Sequence, residues 1–151
     1  MASVIEHFAA DHRACDAVFA RAEDAVTRGE QAQASDTFSR FHLLLEAHFG
    51  AEEEIIFPAF EASSGMRNGP TEMMRHEHQD LLAMCQSAQR LINTAQLADA
   101  TRQLDTLFTM MQAHNIKEEQ ILYPMCDAAL SANPTIVAEA VARLGGEQET
   151  I

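Results

Sequence analysis

Basic residues are scarce in this sequence. Ten Lys and Arg stand against 23 Asp and Glu, which gives a formal net charge of -13, and Lys117 is the only lysine. A chain this acidic lacks the positive surface with which proteins bind nucleic acid or anionic membranes. We therefore expect neither nucleic acid nor a membrane among its partners.

Long apolar runs are also missing. No stretch approaches the roughly 20 apolar residues that span a bilayer, and the first residues lack the basic start and apolar stretch of a signal peptide. The three cysteines, Cys15, Cys85 and Cys126, form no close pair, which argues against a disulfide framework, a zinc knuckle or a redox CxxC motif. These absences predict a cytoplasmic protein whose free thiols are buried.

Runs of β-branched residues are absent, and residues that favour helices dominate the chain. Breaks rich in Gly, Pro, Ser and Asn divide it into long helical segments. The predicted helices cover about residues 4–28, 35–57, 70–93 and 97–123, followed by a short fifth helix from 133 to about 145. Four long helices with short connections predict an all-α, up-down-up-down four-helix bundle.

Two prolines end similar segments of this predicted bundle. Pro58 and Pro124 follow the second and fourth long helices, and we expect each to kink or end the helix before it. We expect residues 1–146 to form a single domain and residues 147–151 to be a tail.

Polar residues interrupt the apolar stripes of the four long helices. The stripes continue beyond them, for instance at Ile55 and Ile121. A buried carboxylate without a partner is costly, and no stripe contains a Lys or Arg to compensate for it. Protonation, hydrogen bonds to histidine or a metal ion are the remaining explanations. The interrupting residues are His12, His48, Glu52, His78, His114 and Glu118.

These polar residues follow an internal repeat. Residues 48–58 read HFGAEEEIIFP and residues 114–124 read HNIKEEQILYP, so that His, both Glu, Ile and Pro match at an offset of 66. The same offset relates His12 to His78. The sequence therefore predicts two copies of one helical hairpin, each with a lone His on its first helix and a His-x-x-x-Glu on its second.

The two predicted hairpins, about 4–62 and 70–128, bring their polar residues to one layer. With a rise of about 1.5 Å per residue, the lone His and the His-x-x-x-Glu of each hairpin reach the same height, and residues i and i+4 share a helix face. Four imidazoles and two carboxylates predict a dinuclear site, in which the carboxylates bridge two cations and each cation binds two His. Such N and O ligands suit iron or manganese.

Further carboxylates lie next to these residues. Glu53 and Glu119 follow their histidines by five positions, roughly 140° round an α-helix, whereas Glu52 and Glu118 follow by four, at about 40°. We therefore prefer Glu52 and Glu118 as metal ligands and keep Glu53 and Glu119 as the alternative.

Three more side chains are candidates for a supporting role. Asp11 and Glu77 directly precede the lone histidines; they either orient the ligands or are plain surface acids. Tyr123 aligns with Phe57 in the repeat. We interpret Tyr123 as a packing residue, with a hydrogen-bonding or redox role near the metals as the alternative.

At these residues the chain resembles the hemerythrin-like family, also called HHE cation-binding domains. The doubled H-x-x-x-E-E-x-I-x-(F/Y)-P, each copy preceded by a lone His on the previous helix, carries the resemblance, which covers about residues 4–126. It implies a four-helix bundle with a non-haem di-iron centre, bridged by two carboxylates and an oxo or hydroxo group. Zinc or manganese could occupy the same ligands.

One departure separates the chain from the oxygen-carrying hemerythrins. Those proteins have a further His on the third helix, four residues from the first, where this chain has Met74 and Leu82 on either side of His78. The site therefore resembles the four-His, two-Glu variant, which is more similar to bacterial iron-centre repair proteins than to the oxygen carriers.

The favoured hypothesis is a non-haem di-iron protein that binds or senses a small diatomic ligand, dioxygen or nitric oxide. The alternatives are an iron donor or repair protein for other iron centres, and a di-iron oxidase, peroxidase or nitric oxide reductase. An enzyme is less favoured, because the sequence reveals no substrate pocket and no acid–base pair apart from the ligands.

Overall fold

Helices make up the whole architecture of the described part of the chain. The computed structural model describes residues 3–145, and no strand occurs among them. The elements, in chain order, are α1 (Val4–Thr27), α2 (Gln31–Ala51), a first π segment (Glu52–Ile56), α3 (Phe57–Ser64), α4 (Pro70–Asn93), α5 (Leu97–Lys117), a second π segment (Glu118–Leu122), α6 (Tyr123–Ala129) and α7 (Pro134–Ala142).

The long helices form a bundle. Helix α1 packs against α2 and α5, and α4 packs against the same two helices from the other side, while the short α7 packs on the first π segment. The predicted all-α bundle with a short C-terminal helix is confirmed. The predicted tail, 147–151, lies outside the described residues. Within residues 3–145, no helix has the length and apolar character needed to cross a membrane.

Side-chain and backbone caps define where the helices begin and end. The Ser3 hydroxyl accepts a hydrogen bond of 3.1 Å from the Glu6 N–H and so caps α1. The Asp127 carboxylate of α6 also accepts from the first N–H groups of α1, at 2.7 Å from Val4 N. Gly65 ends α3 with φ of 76°, a left-handed conformation that glycine adopts without strain. The Asp127 contact joins the start of the first hairpin to the end of the second.

The second long helix differs from its predicted bounds at both ends. It begins at Gln31, four residues before the predicted start. Nor does Pro58 end it, because the chain continues through the first π segment into α3, as it continues past Pro124 into α6. In each π segment an N–H bonds to a carbonyl five residues earlier, as from Phe57 to Glu52. Each proline then lies in the first turn of the next α-helix, where its missing N–H is not required.

The π segments also shift the buried face of the chain by one residue. The predicted stripes contain Ile55 and Ile121, but Ile121 is 57% exposed and Ile55 is only partly buried. The buried positions are instead Ile56 and Leu122. The prediction assumed a constant α-helical period, and the extra residue in each π turn moves every later side chain round the helix.

The core consists of two apolar clusters, one at each end of the bundle. The first contains Phe19, Phe41 and Leu104, and the second contains Phe8 and Phe60. Each long helix passes from one cluster to the other at the polar residues that interrupt its stripe.

The three cysteines are free and buried, as predicted, and burial together with the Glu46 carboxylate raises the pKa of Cys85 to about 12. The thiols therefore remain protonated core residues.

Candidate metal centre

The predicted ligands lie together in one buried layer between the two apolar clusters. All of them are at most 4% exposed. The four long helical runs each contribute to this layer, and the π segments begin at its two carboxylates. The residues of the layer are His12, His48, Glu52, His78, His114 and Glu118.

One half of the layer, which we call the His78 half, contains Glu52, His78, His114 and Glu118. One nitrogen or oxygen atom from each lies within 4.8 Å of the others. His78 Nε2 lies 3.1 Å from Glu52 Oε1, and His114 Nε2 lies 3.4 Å from Glu118 Oε2. All four atoms are buried, and none makes a well-aligned hydrogen bond. Buried polar atoms are normally paired, so this convergence of two nitrogens and two oxygens fits a divalent metal ion.

The other half, the His12 half, brings one atom each of His12, His48 and Glu118 within 4.8 Å of one another, with Glu52 beside His48, and it also contains Tyr123. His12 Nε2 lies 3.0 Å from Glu118 Oε1, and His48 Nε2 lies 3.4 Å from Glu52 Oε2. The Tyr123 hydroxyl lies 2.6 Å from Glu52 Oε2 and 2.8 Å from Glu118 Oε1, and 3.1 Å from Nε2 of each histidine. Tyr123 therefore has more than the packing role predicted for it, and the hydrogen-bonding alternative describes its contacts.

Two outer carboxylates hold the histidines of the His-x-x-x-Glu motifs. Asp11 Oδ2 accepts from His48 Nδ1 at 2.8 Å, and Glu77 Oε1 accepts from His114 Nδ1 at 2.7 Å. Glu77 also pairs with Lys117. Of the two predicted roles for Asp11 and Glu77, the orienting one matches the contacts, because an Nδ1–H bonded to a carboxylate leaves Nε2 facing the centre of the layer.

Glu53 and Glu119 hold the two lone histidines in the same way. Glu53 Oε2 accepts from His78 Nδ1 at 2.5 Å, and Glu119 Oε2 accepts from His12 Nδ1 at 2.7 Å. They contact the outer edge of each ring and not the centre, so the alternative in which they replace Glu52 and Glu118 as ligands does not fit. All four histidines thus have one carboxylate on Nδ1. The repeat relates the Asp11–His48 pair to the Glu77–His114 pair, and the Glu119–His12 pair to the Glu53–His78 pair.

The family model of the hemerythrin HHE cation binding domain matches residues 3–126. The chain belongs to this family. No curated protein and no solved structure shows a significant match to the chain. The matched range includes every residue of the layer, and membership of the HHE family implies a bound metal cation, typically iron.

The electrostatics of this HHE domain favour positive charge at the centre of the layer. Burial alone would lower the pKa of His48, but the Glu52 and Asp11 carboxylates outweigh it and raise the pKa to about 10. Burial is likewise outweighed at His78, where Glu118, Glu52 and Glu53 raise the pKa to about 11. Protons and metal ions are therefore expected to compete for the same Nε2 atoms.

A surface cleft of this HHE domain leads to the His78 half. It lies between α4 and α5 and has a volume of about 300 Å³. Its wall includes the His114 side chain, and the Glu77–Lys117 ion pair lies beside it. The lining residues are Glu77, Asp80, Leu81, Met110, Ala113, His114 and Lys117. His114 is therefore the predicted ligand that borders this cleft, although only 1% of it is exposed.

The contacts of Tyr123 are the main feature that the sequence analysis underestimated. The repeat contains the signal for it, because Tyr123 and Phe57 occupy matching positions and differ only by the hydroxyl group. A lone phenol beside six predicted ligands is a candidate for hydrogen bonding, since a buried Tyr hydroxyl normally has a partner.

Proposed function

We propose that this HHE domain binds two iron ions in the buried layer and that it binds or senses a small diatomic ligand, dioxygen or nitric oxide, at that centre. The single observation that carries the proposal is the convergence of buried, unpaired nitrogen and oxygen atoms in the His78 half. The proposed ligands are His12, His48, Glu52, His78, His114 and Glu118.

The orientation of the two carboxylates supports a bridging role. Glu52 directs Oε1 to His78 and Oε2 to His48. Glu118 directs Oε1 to His12 and Oε2 to His114. Each carboxylate therefore presents one oxygen to each half of the layer, as a carboxylate does when it bridges two ions. The His78 half then offers two imidazole nitrogens and two carboxylate oxygens within 4.8 Å, and the His12 half offers two imidazole nitrogens and one oxygen of Glu118, with Glu52 Oε2 3.4 Å from His48.

The ligand count favours binding over a purely structural metal. The four atoms of the His78 half and the three converging atoms of the His12 half would leave positions open on iron, which takes up to six ligands. When bound, the iron pair supplies open coordination positions and reversible redox chemistry. The residues of this chain bind the ions, orient the imidazoles and exclude water from the layer.

The surroundings of the layer favour a small ligand. Every residue of the layer is at most 4% exposed, so a bulky substrate has no direct contact with the ligand atoms. The cleft beside His114 lies on the side of the His78 half, where the ligand atoms are unpaired. A diatomic molecule is small enough to cross the remaining distance through the core.

Metal content decides the first part of this proposal. Elemental mass spectrometry on protein grown with ample iron should find two irons per chain. His48→Ala and His114→Ala should each reduce the iron content, because each removes a nitrogen ligand. His76→Ala is the matched control, since His76 is exposed on α4 and its removal should leave the iron content unchanged. Wild-type iron content in both ligand variants would contradict the site.

Ligand binding decides the second part. The reduced, iron-loaded protein should change its absorption spectrum on exposure to nitric oxide or dioxygen and recover when the gas is removed. Continuous consumption of nitric oxide or peroxide would instead favour the enzyme alternative. Transfer of iron to an acceptor protein faster than to a chelator would favour the donor alternative.

A further inference from the structure

The repeat places two aromatic rings in equivalent positions on either side of the layer. The Tyr123 ring stacks on His12 with centroids 5.6 Å apart and an interplanar angle of 25°. The Phe57 ring stacks on His78 with centroids 5.9 Å apart and an angle of 17°. Both rings are fully buried. The two halves share this stacked ring and differ at that position by one hydroxyl group. They differ also at Phe49, which stacks on His78 at 3.7 Å and which the repeat replaces by Asn115 in the His12 half.

That hydroxyl changes what an incoming ion meets. In the His12 half, the Tyr123 oxygen lies between 2.6 and 3.1 Å from two carboxylate oxygens and two imidazole nitrogens. It lies among the same atoms that the ion would use. In the His78 half no hydroxyl lies among the corresponding atoms, because Phe57 has none, and these atoms make no well-aligned hydrogen bond.

The difference predicts an order of binding. An ion in the His78 half displaces no side-chain group from among its ligand atoms. An ion in the His12 half first has to displace the Tyr123 hydroxyl, whose single proton bonds to one of the two carboxylate oxygens 2.6 and 2.8 Å away, and the hydroxyl must then move aside within the core. Leaving a buried polar group without its partners is costly, so the affinity of the His12 half is reduced.

We propose that Tyr123 makes the two halves of the centre unequal: the first metal ion binds in the His78 half, and the second binds more weakly in the His12 half because it displaces the Tyr123 hydroxyl. This inference rests on the proposed metal centre. Tyr123 thus lowers the metal affinity of the His12 half, and Phe57, which has no hydroxyl, occupies the equivalent position in the His78 half.

Stepwise metal titration tests the proposal. Metal-free protein is titrated with Co²⁺ in the absence of oxygen, and binding is followed by calorimetry and by the visible absorption of the ion. Wild-type protein should bind two ions with Kd values that differ by about tenfold or more, the effect of about one hydrogen bond to a charged group. Tyr123→Phe should bring the second Kd towards the first.

Phe57→Tyr is the matched variant, because it adds a hydroxyl at the equivalent position of the other half. It should weaken the binding of the first ion and raise its Kd towards that of the second. His78→Ala and His12→Ala locate the ions: His78→Ala should lose the tight site, whereas His12→Ala should retain it. Circular dichroism and thermal unfolding show which variants are folded. The two histidine variants decide the order of binding even if Tyr123→Phe or Phe57→Tyr does not fold.

Three results would overturn the inference. Equal Kd values for the two ions in wild-type protein would mean that the hydroxyl is no obstacle. Loss of the second ion in Tyr123→Phe would mean that the phenol is a ligand and not a competitor. A tight site that survives His78→Ala and disappears in His12→Ala would reverse the order. Absence of any Co²⁺ binding to wild-type protein would instead contradict the metal centre itself.

Discussion

Asp11 Oδ2 lies 2.8 Å from Nδ1 of His48, and both side chains are fully buried. The pair fixes the ring so that Nε2 faces Glu52 and Tyr123. Asp11 thus determines the position of a predicted ligand although it does not itself reach the centre. The three other histidines are held in the same way, each by a carboxylate on Nδ1.

Asp11→Asn should therefore weaken metal binding without removing a ligand. An amide keeps the shape of the side chain but loses the charge that raises the basicity of His48. Loss of such a supporting partner typically reduces metal affinity by about 10- to 100-fold. Metal titration measures the change. Asp24→Asn on the same helix is the control, since Asp24 pairs with Arg28 on the surface, and an equal effect of both variants would contradict a specific role for Asp11.

Metal binding should become tighter as the pH rises. The pKa values of His48 and His78 are raised to about 10 and about 11, so both rings hold protons through the neutral range. A metal ion has to displace these protons, and its apparent affinity should increase by about tenfold per pH unit for each proton released. Calorimetry in buffers with different ionisation enthalpies counts the protons. Affinity that does not change between pH 6 and pH 8 would contradict this expectation.

The contact between the two hairpins at Glu61 should depend on pH in a defined direction. Arg75 donates to Glu61 at 2.5 and 3.2 Å, and the buried Thr71 hydroxyl donates at 2.6 Å. The Arg75 hydrogen bonds, chiefly, hold the pKa of Glu61 below its ordinary value of 4.5. A lowered pKa in the folded state contributes stability that is fully present above pH 4.5 and is lost as the pH falls through the folded value.

Glu61→Gln should thus reduce the free energy of unfolding at pH 7 by about 1–2 kcal/mol. The difference from wild-type protein should shrink as the pH falls below 4.5 and through the folded pKa of Glu61. Urea denaturation across this pH range measures both quantities. A loss that stays the same as the pH falls would show that the charge of Glu61 is not what stabilises the contact.

The register shift at the second π segment has a direct test in two neighbouring residues. Leu122 is 1% exposed and Ile121 is 57% exposed. Leu122→Ala should reduce the free energy of unfolding by about 2–5 kcal/mol, because it leaves a cavity in the second apolar cluster. Ile121→Ala should change it by about 0.5 kcal/mol or less. Chemical denaturation of the two variants gives the comparison, and the reverse ranking would place the buried face where a continuous α-helix has it.

Much of the fold and the layer could be predicted from the spacing of residues. Apolar residues at steps of three and four indicate helices, and the offset of 66 relates His48 to His114 and His12 to His78. Two repeats of a hairpin place such residues at one height whatever the details of packing. This is why all six predicted ligands lie in the layer.

The parts that could not be predicted follow from the π segments. A constant α-helical period puts Glu53 and Glu119 on the far side of their helices, whereas the structure brings each to the Nδ1 atom of a lone histidine. The insertion of one residue in a turn has no marker in the apolar pattern. The shift shows in the burial of Ile56 and Leu122 in place of the predicted Ile55 and Ile121.

Neither hairpin contains a complete half of the layer. The His78 half takes Glu52 from the first hairpin, and the His12 half takes Glu118 from the second. An ion bound in either half therefore cross-links the two hairpins, in addition to side-chain contacts between them such as the Glu61–Arg75 ion pair. Because such an ion binds the folded arrangement alone, each loading step also raises the free energy needed to separate the hairpins. Glu52 and Glu118, as shared ligands, would then hold the two hairpins of the bundle together.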